Sequence, residues 1–403
     1  MYNKILFTLS LTTVLAIGNA QNKKPEFSNI PKDLKINEIQ ILGTHNSYAQ
    51  PVDPQVIEAA APLLDAMMGQ FMKTMTPEMK AGFEENHPNG MKFSEALNYN
   101  HPPFPDQLNA GMRNLEIDVY YDPKGGKYTT PAAYEYLKAK GITKLAPFNT
   151  EGLDKPGFKV QHMSDYDFRT HYPTLKDALT ALKKWSDENP DHVTIFIQLE
   201  VKDTGIPIFP GSEPVLKFDA AAFDALDKEI TNVLGADKII TPDDVRGKYH
   251  TLNEAVLARN WPTVNAGRGK FIFMLLSSTA GIESNDSYTK GRPNLEGRPM
   301  FVNSEPGQTF GAFLLLDNAI KRQEDIKKYV QQGYLVRSRS DIETYEAKVN
   351  DQTRAKAAFA SGAQVISTDF YKPGNSYNTP YFVQLPGGGV ARCNPVNAKD
   401  KCK

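Results

Sequence analysis

Cysteine is almost missing from this chain of 403 residues: there are two, Cys393 and Cys402, both in the C-terminal tail. Two cysteines placed so late do not make a zinc site. In an oxidising compartment they can pair and pin a short loop. A surplus of charge is also missing, with 46 basic against 47 acidic residues and a formal net charge of −1. That balance excludes general nucleic-acid binding, which needs a positive surplus, but leaves room for a local cationic phosphate site. No apolar run is long enough to span a bilayer comfortably; the N-terminal run 5–17 is too short, so no transmembrane segment is expected. No internal repeat at solenoid periods is apparent. No Gly-rich phosphate loop follows the first apolar strand, which argues against an open dinucleotide-binding sheet.

What is present begins with a secretory pattern. Lys4 precedes the apolar run 5–17, and Gly18-Asn19-Ala20 offers small residues for cleavage. Residues 1–20 therefore read as a signal peptide, the mature chain as starting at Gln21, and the protein as secreted or periplasmic. No cysteine follows the cleavage site, so a lipid anchor is not expected. Hydrophobic residues make up 40% and charged residues 23%, an ordinary globular balance.

Eight apolar or β-branched runs read as strands: 36–43, 113–121, 158–163, 192–201, 270–276, 299–304, 334–339 and 363–368. Helical periodicity appears between several of them, at 173–189, 223–234, 320–332 and 345–361. Alternation of strand and helix predicts a parallel sheet with crossovers. Eight strands in about 340 residues predict a closed (β/α)8 barrel of the TIM type. The barrel is expected over 21–375, with an irregular tail over 376–403. The stretch 50–105 is far too long for an ordinary βα connection and is expected as a helical insertion over the barrel mouth.

Polar residues at the strand ends carry the chemistry, because barrel active sites sit at the carboxyl ends of the strands. The first strand ends in Gly43-Thr44-His45-Asn46. The second holds Glu116 and Asp118, two apart and so on one face, between Leu115, Ile117 and Val119. Buried carboxylates in such a strand are costly unless paired or liganded. The third strand ends in Val160-Gln161-His162, and the fourth carries Glu200 and Lys202 on a common face. The seventh ends in Arg337-Ser338-Arg339-Ser340-Asp341 and the eighth in Ser367-Thr368-Asp369-Phe370-Tyr371. Hard oxygen donors suit calcium or magnesium better than zinc. The histidines suit proton transfer and the cations suit phosphate.

The order His45-Asn46, Glu116-x-Asp118, His162, Leu199-Glu200 resembles the calcium-dependent phosphoinositide phospholipases C, in particular their secreted microbial branch. The likeness extends through His101-Pro102-Pro103, Gly111-Met112-Arg113, Trp261-Pro262 and Ser361-Gly362-Ala363-Gln364. It implies a PLC-like phosphodiesterase barrel and a Ca2+ ion on Asn46, Glu116, Asp118 and Glu200. It implies cleavage of an inositol phospholipid at a membrane surface; a monomer is expected, though no residue pattern speaks to oligomeric state. The inositol 2-hydroxyl would attack phosphorus, diacylglycerol would leave, and the cyclic phosphate could then be hydrolysed. Catalytic roles fall on His45, His162 and Glu116. Glu116 or Asp118 would be the base, His45 would stabilise transition-state charge, and His162 would protonate the leaving oxygen. Lys202, Arg337, Arg339 and Tyr371 are candidate substrate-binding residues. Lys202 reads equally well as a partner of Glu200, and Arg337, Arg339 and Asp341 as a rim ion-pair network; Tyr371 reads more readily as packing. His87, His101, His171, His192 and His250 read as structural or exposed.

Two other functions fit less of the pattern. A glycerophosphodiester phosphodiesterase would carry His-Arg-Gly where this chain has His45-Asn46-Ser47. A non-catalytic sugar-phosphate or lipid-binding barrel leaves both histidines unexplained beside a complete metal set. Met67, Met68, Met72, Met75 and Met79 predict either a helical lid packed on the barrel or a soft apolar face touching lipid.

Overall fold

The computed structural model describes residues 30–277 and 282–402; the signal-peptide reading of 1–20 lies outside them. Among the described residues the strands are β1 (Ile39–Thr44), β2 (Asn114–Asp122), β3 (Gly157–Val160), β4 (Ile195–Val201), β5 (Phe271–Ser277), β6 (Met300–Val302), β7 (Phe313–Leu315), β8 (Leu335–Arg339), β9 (Val365–Thr368) and β10 (Arg392–Cys393). Eight of them run parallel in the order β6-β5-β4-β2-β1-β9-β8-β7. A lone parallel bridge, Asn303 to Phe313, joins the two ends, so the sheet is a nearly closed α/β barrel.

The eight strands of the barrel are not quite the eight expected. The predicted third strand, 158–163, pairs antiparallel with β2 and stands off the barrel. Its place is taken by β7, whose three residues are too few to show a period in sequence. The predicted helix 345–361 is two helices, Tyr345–Val349 and Thr353–Ser361. Asn350 adopts φ +56, and the Asp351 carboxylate accepts from the Thr353 amide (2.8 Å), which starts the second helix afresh. The tail is irregular except for β10, which pairs with Ile39 and Gln40, and a Cys393–Cys402 disulfide closes it.

The parallel register puts every strand's carboxyl end on one face. Asp118 stands beside Glu200 and Glu116 beside Gln198. Gly43 permits the close pairing of β1 and β2: a Cβ there would lie 2.2 Å from the Asn114 carbonyl oxygen. Leu115, Ile117, Val119, Ile197 and Leu199 point the other way, into the main hydrophobic core beneath the helices.

The insertion opens with α1 (Pro54–Thr74) and α2 (Pro77–Asn86). Asp53 caps α1 by accepting from the Gln55 amide (2.9 Å). The first half of α1 buries Val56, Ala60, Ala61 and Leu64 in a second core shared with Ala133, Leu137, Tyr166 and Phe168. Leu63 is exposed on the outer face of that half, and the second half leaves the body, exposing Met67, Phe71 and Met72, while α2 buries nothing. The methionine-rich stretch is therefore only half a packed lid. Polar ties hold its far end: Glu85 bonds Lys321 and Arg322 beyond β7, and His87 meets Glu343 beyond β8.

His192 fastens the opposite end of the barrel. Its Nδ1–H donates to the Val193 carbonyl, and Nε2 meets the Ser186 hydroxyl, each at 2.8 Å. Burial lowers its pKa to about 4, while the unfolded chain takes up its proton near pH 6.5. His192 thus contributes stability above about pH 6.5 that is lost as pH falls toward 4. Replacing His192 by Gln is expected to lower the melting temperature at pH 7 and to flatten its slope between pH 6.5 and 4. A slope equal to that of the parent in calorimetry contradicts this.

Candidate active site

The residues of interest meet inside the carboxyl end of the barrel. One oxygen each from Glu116, Asp118 and Glu200 lies within 4.8 Å of the others. Glu116 Oε2 accepts from Arg337 Nη2 (3.1 Å) and Gln198 Nε2 (3.3 Å). Arg337 sits on β8, not adjacent to β2, so this contact crosses the barrel interior. Its other nitrogen donates to Asp317. Lys202 Nζ donates to Glu200 Oε1 (2.7 Å) and lies 2.8 Å from Asp118 Oδ2. That second approach is an ion pair without hydrogen-bond alignment: both oxygens of the fully buried Asp118 lack a hydrogen-bond partner.

Burial dominates the electrostatics. It pushes Glu116 up to about 8, against Arg337 and with help from the neighbouring carboxylates. It pushes Asp118 up to about 6, with Lys202 opposing and Glu200 assisting. Burial acts in the same direction on Glu200, but there Lys202 wins and the carboxyl stays below its ordinary value. Burial likewise opposes the charge on Lys202, yet Asp118 and Glu200 hold its pKa well above normal.

Two histidine–aspartate pairs flank the cluster. His45 Nδ1 lies 3.1 Å from Asp369 Oδ1. Burial disfavours the Asp369 charge, but His45, His101 and Arg339 keep its carboxyl far below the usual range. An ionised Asp369 accepts, so His45 Nδ1–H donates and Nε2 is free of a proton. Burial, then Arg339, lowers the His45 pKa to about 4 despite Asp369, so the ring is neutral at pH 7. His162 Nδ1 lies 2.7 Å from Asp167 Oδ2. A tight turn of reciprocal amide bonds between Met163 and Asp167 fixes that loop.

Asn46 adopts φ +43 at the tip of β1. Its amide donates to the Tyr99 hydroxyl (2.5 Å), and its oxygen accepts from Tyr48 (3.3 Å). Tyr48 is raised well above its usual pKa by burial and then by Asp118. Arg339 Nη2 donates to Asp369 Oδ2 (3.1 Å). Tyr371 is buried and stacks on His101, their ring centres 6.3 Å apart. Asp341 is a structural member: it accepts from Ser340, Thr368, Tyr381 and the Asp369 amide.

The structure thus gathers His45, Asn46, Glu116, Asp118, Glu200, Lys202, Arg337 and Arg339, with His162 alongside, and leaves Tyr371 at one side. Asp369, Asp167, Gln198 and Asp317 were not recognised as members from the sequence. Asp369 was visible as a carboxylate at a strand tip. Asp167 and Asp317 come from loops with no periodic signal. His101, expected as structural or exposed, is buried beside the site: its Nε2 lies 2.9 Å from the His45 carbonyl and 3.7 Å from Asp369.

The family model for calcium-dependent phosphoinositide phospholipase C matches residues 34–395. The chain belongs to this family. Its members are phosphodiesterases of the phospholipase C type, and the enzyme shares their calcium dependence. Among solved structures it is similar to the calcium-dependent phosphoinositol-specific phospholipase C of a Pseudomonas species. Identity is 14% over 91% of this chain and 98% of that one, with TM-score 0.51. A myo-inositol complex of that protein matches equally. The corresponding enzyme of Streptomyces antibioticus covers 86% and 98% at 16% identity, with TM-score 0.49. At such identities the likeness concerns the fold. No curated relative matches the chain.

The donor set of the enzyme fits calcium. Buried Asp118 oxygens without hydrogen-bond partners, beside two further carboxylates and an amide, make an all-oxygen site of the kind this ion takes. Replacing Asp118 by Asn is expected to weaken calcium binding by about tenfold or more, since even changes behind the ligands cost that much. Titration calorimetry that finds equal affinity would remove Asp118 from the ligand set.

Proposed function

We propose that the enzyme is exported and cleaves phosphatidylinositol between glycerol and phosphate, releasing diacylglycerol and inositol 1,2-cyclic phosphate. The observation that carries this reading is the pair of aspartate-held histidines flanking one carboxylate cluster. It supplies a proton acceptor and a proton donor on either side of a site for a phosphate diester.

Asn46, Glu116, Asp118 and Glu200 would hold calcium, which when bound lowers the charge of the phosphate and the pKa of the inositol hydroxyl. The His45 tautomer supports a different division of labour from the one the sequence suggests. With Nδ1–H given to Asp369, the neutral ring presents a lone pair at Nε2 and accepts the 2-hydroxyl proton. Glu116 is less suited to that role, being engaged by Arg337 and Gln198. The 2-oxygen bonds to phosphorus, the bond from phosphorus to the glycerol oxygen breaks, and His162, oriented by Asp167, returns a proton to the departing oxygen. Arg337 acts through its positive field, because both of its terminal nitrogens already serve Glu116 and Asp317, whereas Arg339 gives only Nη2 to Asp369. Tyr371 walls the site beside His101.

The exposed row Leu63, Met67 and Phe71, four residues apart on α1, with Met72 and Met79, faces solvent on the insertion that spans the loops of the active-site face. A lipid substrate brings a bilayer to that face, and such a row gains by entering it.

Phosphorus NMR with phosphatidylinositol micelles is expected to show inositol 1,2-cyclic phosphate with calcium and none with excess chelator. Cleavage of glycerophosphodiesters instead would replace this reading by the neighbouring phosphodiesterase activity. His162→Ala is expected to lower kcat by roughly 10²–10⁴-fold while calcium binding persists; an unchanged kcat removes His162 from proton transfer. The double change Phe71→Ser and Met72→Ser is expected to reduce turnover of vesicles several-fold more than turnover of a short-chain soluble substrate. Equal losses on both substrates would end the membrane-contact assignment.

A further inference from the structure

Lys202 follows β4, two residues beyond Glu200, and its amide donates to the Val119 carbonyl (2.9 Å), so its backbone is tied to β2. Its ammonium is buried between Asp118 Oδ2 at 2.8 Å and Glu200 Oε1 at 2.7 Å. These are two of the three carboxylates whose oxygens converge. The third, Glu116, has a cation of its own in Arg337. Counter-charge in the barrel is therefore divided: Arg337 serves Glu116 from across the interior, and Lys202 serves the other two.

The two cations differ in freedom. The fork of Arg337 is fixed between Asp317 and Glu116. Lys202 is a point charge on a flexible four-carbon stem. A divalent ion drawn to the carboxylate cluster seeks oxygens that Lys202 faces, and two cations sharing those oxygens repel strongly at so short a range.

We propose that Lys202 is a resident counter-cation that competes with calcium for Asp118 and Glu200, and that calcium entry frees its ammonium for the substrate phosphate. The inference rests on the calcium-site assignment above and adds an order of events to it. The lysine that meets phosphate becomes available only when the metal has taken its carboxylates, so metal and phosphate binding reinforce one another. Affinity for calcium is set partly by what the ion must displace.

The test is calorimetric titration of the full chain with calcium near neutral pH, for the parent, Lys202→Met and Lys202→Arg, together with melting curves in calcium and in chelator. Lys202→Met is expected to bind calcium at least about tenfold more tightly than the parent, a gain of about 1.4 kcal/mol. In chelator it melts below the parent, because its buried carboxylates lose their counter-charge, and calcium restores it. Lys202→Arg, which keeps the charge, stays within about threefold of the parent. Unchanged or weaker calcium binding by Lys202→Met overturns the proposal and makes Lys202 a partner that orients the ligands. If Lys202→Met folds only with calcium, release of the ion into chelator is followed by stopped flow. Slower release than from the parent is expected, and faster release overturns the competition. A parent that neither binds calcium nor gains melting temperature from it overturns the calcium site itself, a failure distinguishable because it appears without any substitution.

Discussion

Three carboxylates converge within the buried interior of the barrel, and the cost of burying their charge governs the design around them. Arg337 reaches across from β8 to meet Glu116, and Lys202 lies against Asp118 and Glu200. The strand register serves the same end: had β4 slipped by one residue against β2, Glu200 would point out among the helices instead of standing beside Asp118. Asp118, with Lys202 2.8 Å away and no aligned hydrogen-bond donor, has oxygens open to a cation.

The histidines belong to the same economy of charge. Asp369 holds His45 in one tautomer while Arg339 and burial keep it neutral, so the ring offers a lone pair rather than a positive charge. Asp341, which takes four donors, fixes the β9 tip on which Asp369 stands. His162 depends on a loop beyond the antiparallel β3, off the barrel proper, so its placement is separable from that of the metal cluster. The insertion adds a third layer: the first half of α1 is core, the outer part of α1 exposes apolar side chains, and polar ties through Glu85 and His87 hold the far end. That combination suits a surface that meets lipid only when the enzyme is at work.

Much of this was legible in the chain itself. Glu116 and Asp118 stand out because charged residues two apart within an apolar strand are costly unless paired or liganded. Alternating strands and helices pointed to a parallel barrel because a crossover is the short way to return a parallel strand. The length of 50–105 marked an insertion by size alone. These are local regularities, a period or a spacing, and they survive without knowledge of what stands opposite.

What depended on neighbours far along the chain was decided only by the folded structure. β3 left the barrel and β7 entered it, because pairing of three- and four-residue strands is settled by what lies alongside rather than by their own pattern. The partners Asp167, Asp317 and Asp369 sit 5, 20 and 324 residues from the side chains they hold. The tautomer of His45, on which its proposed role rests, is set by one distant carboxylate. Residue types and their spacing determined that there is a metal-dependent phosphodiester site; the summed field of groups brought together by the barrel decided which of them carry charge, which accept protons and which hold the others still.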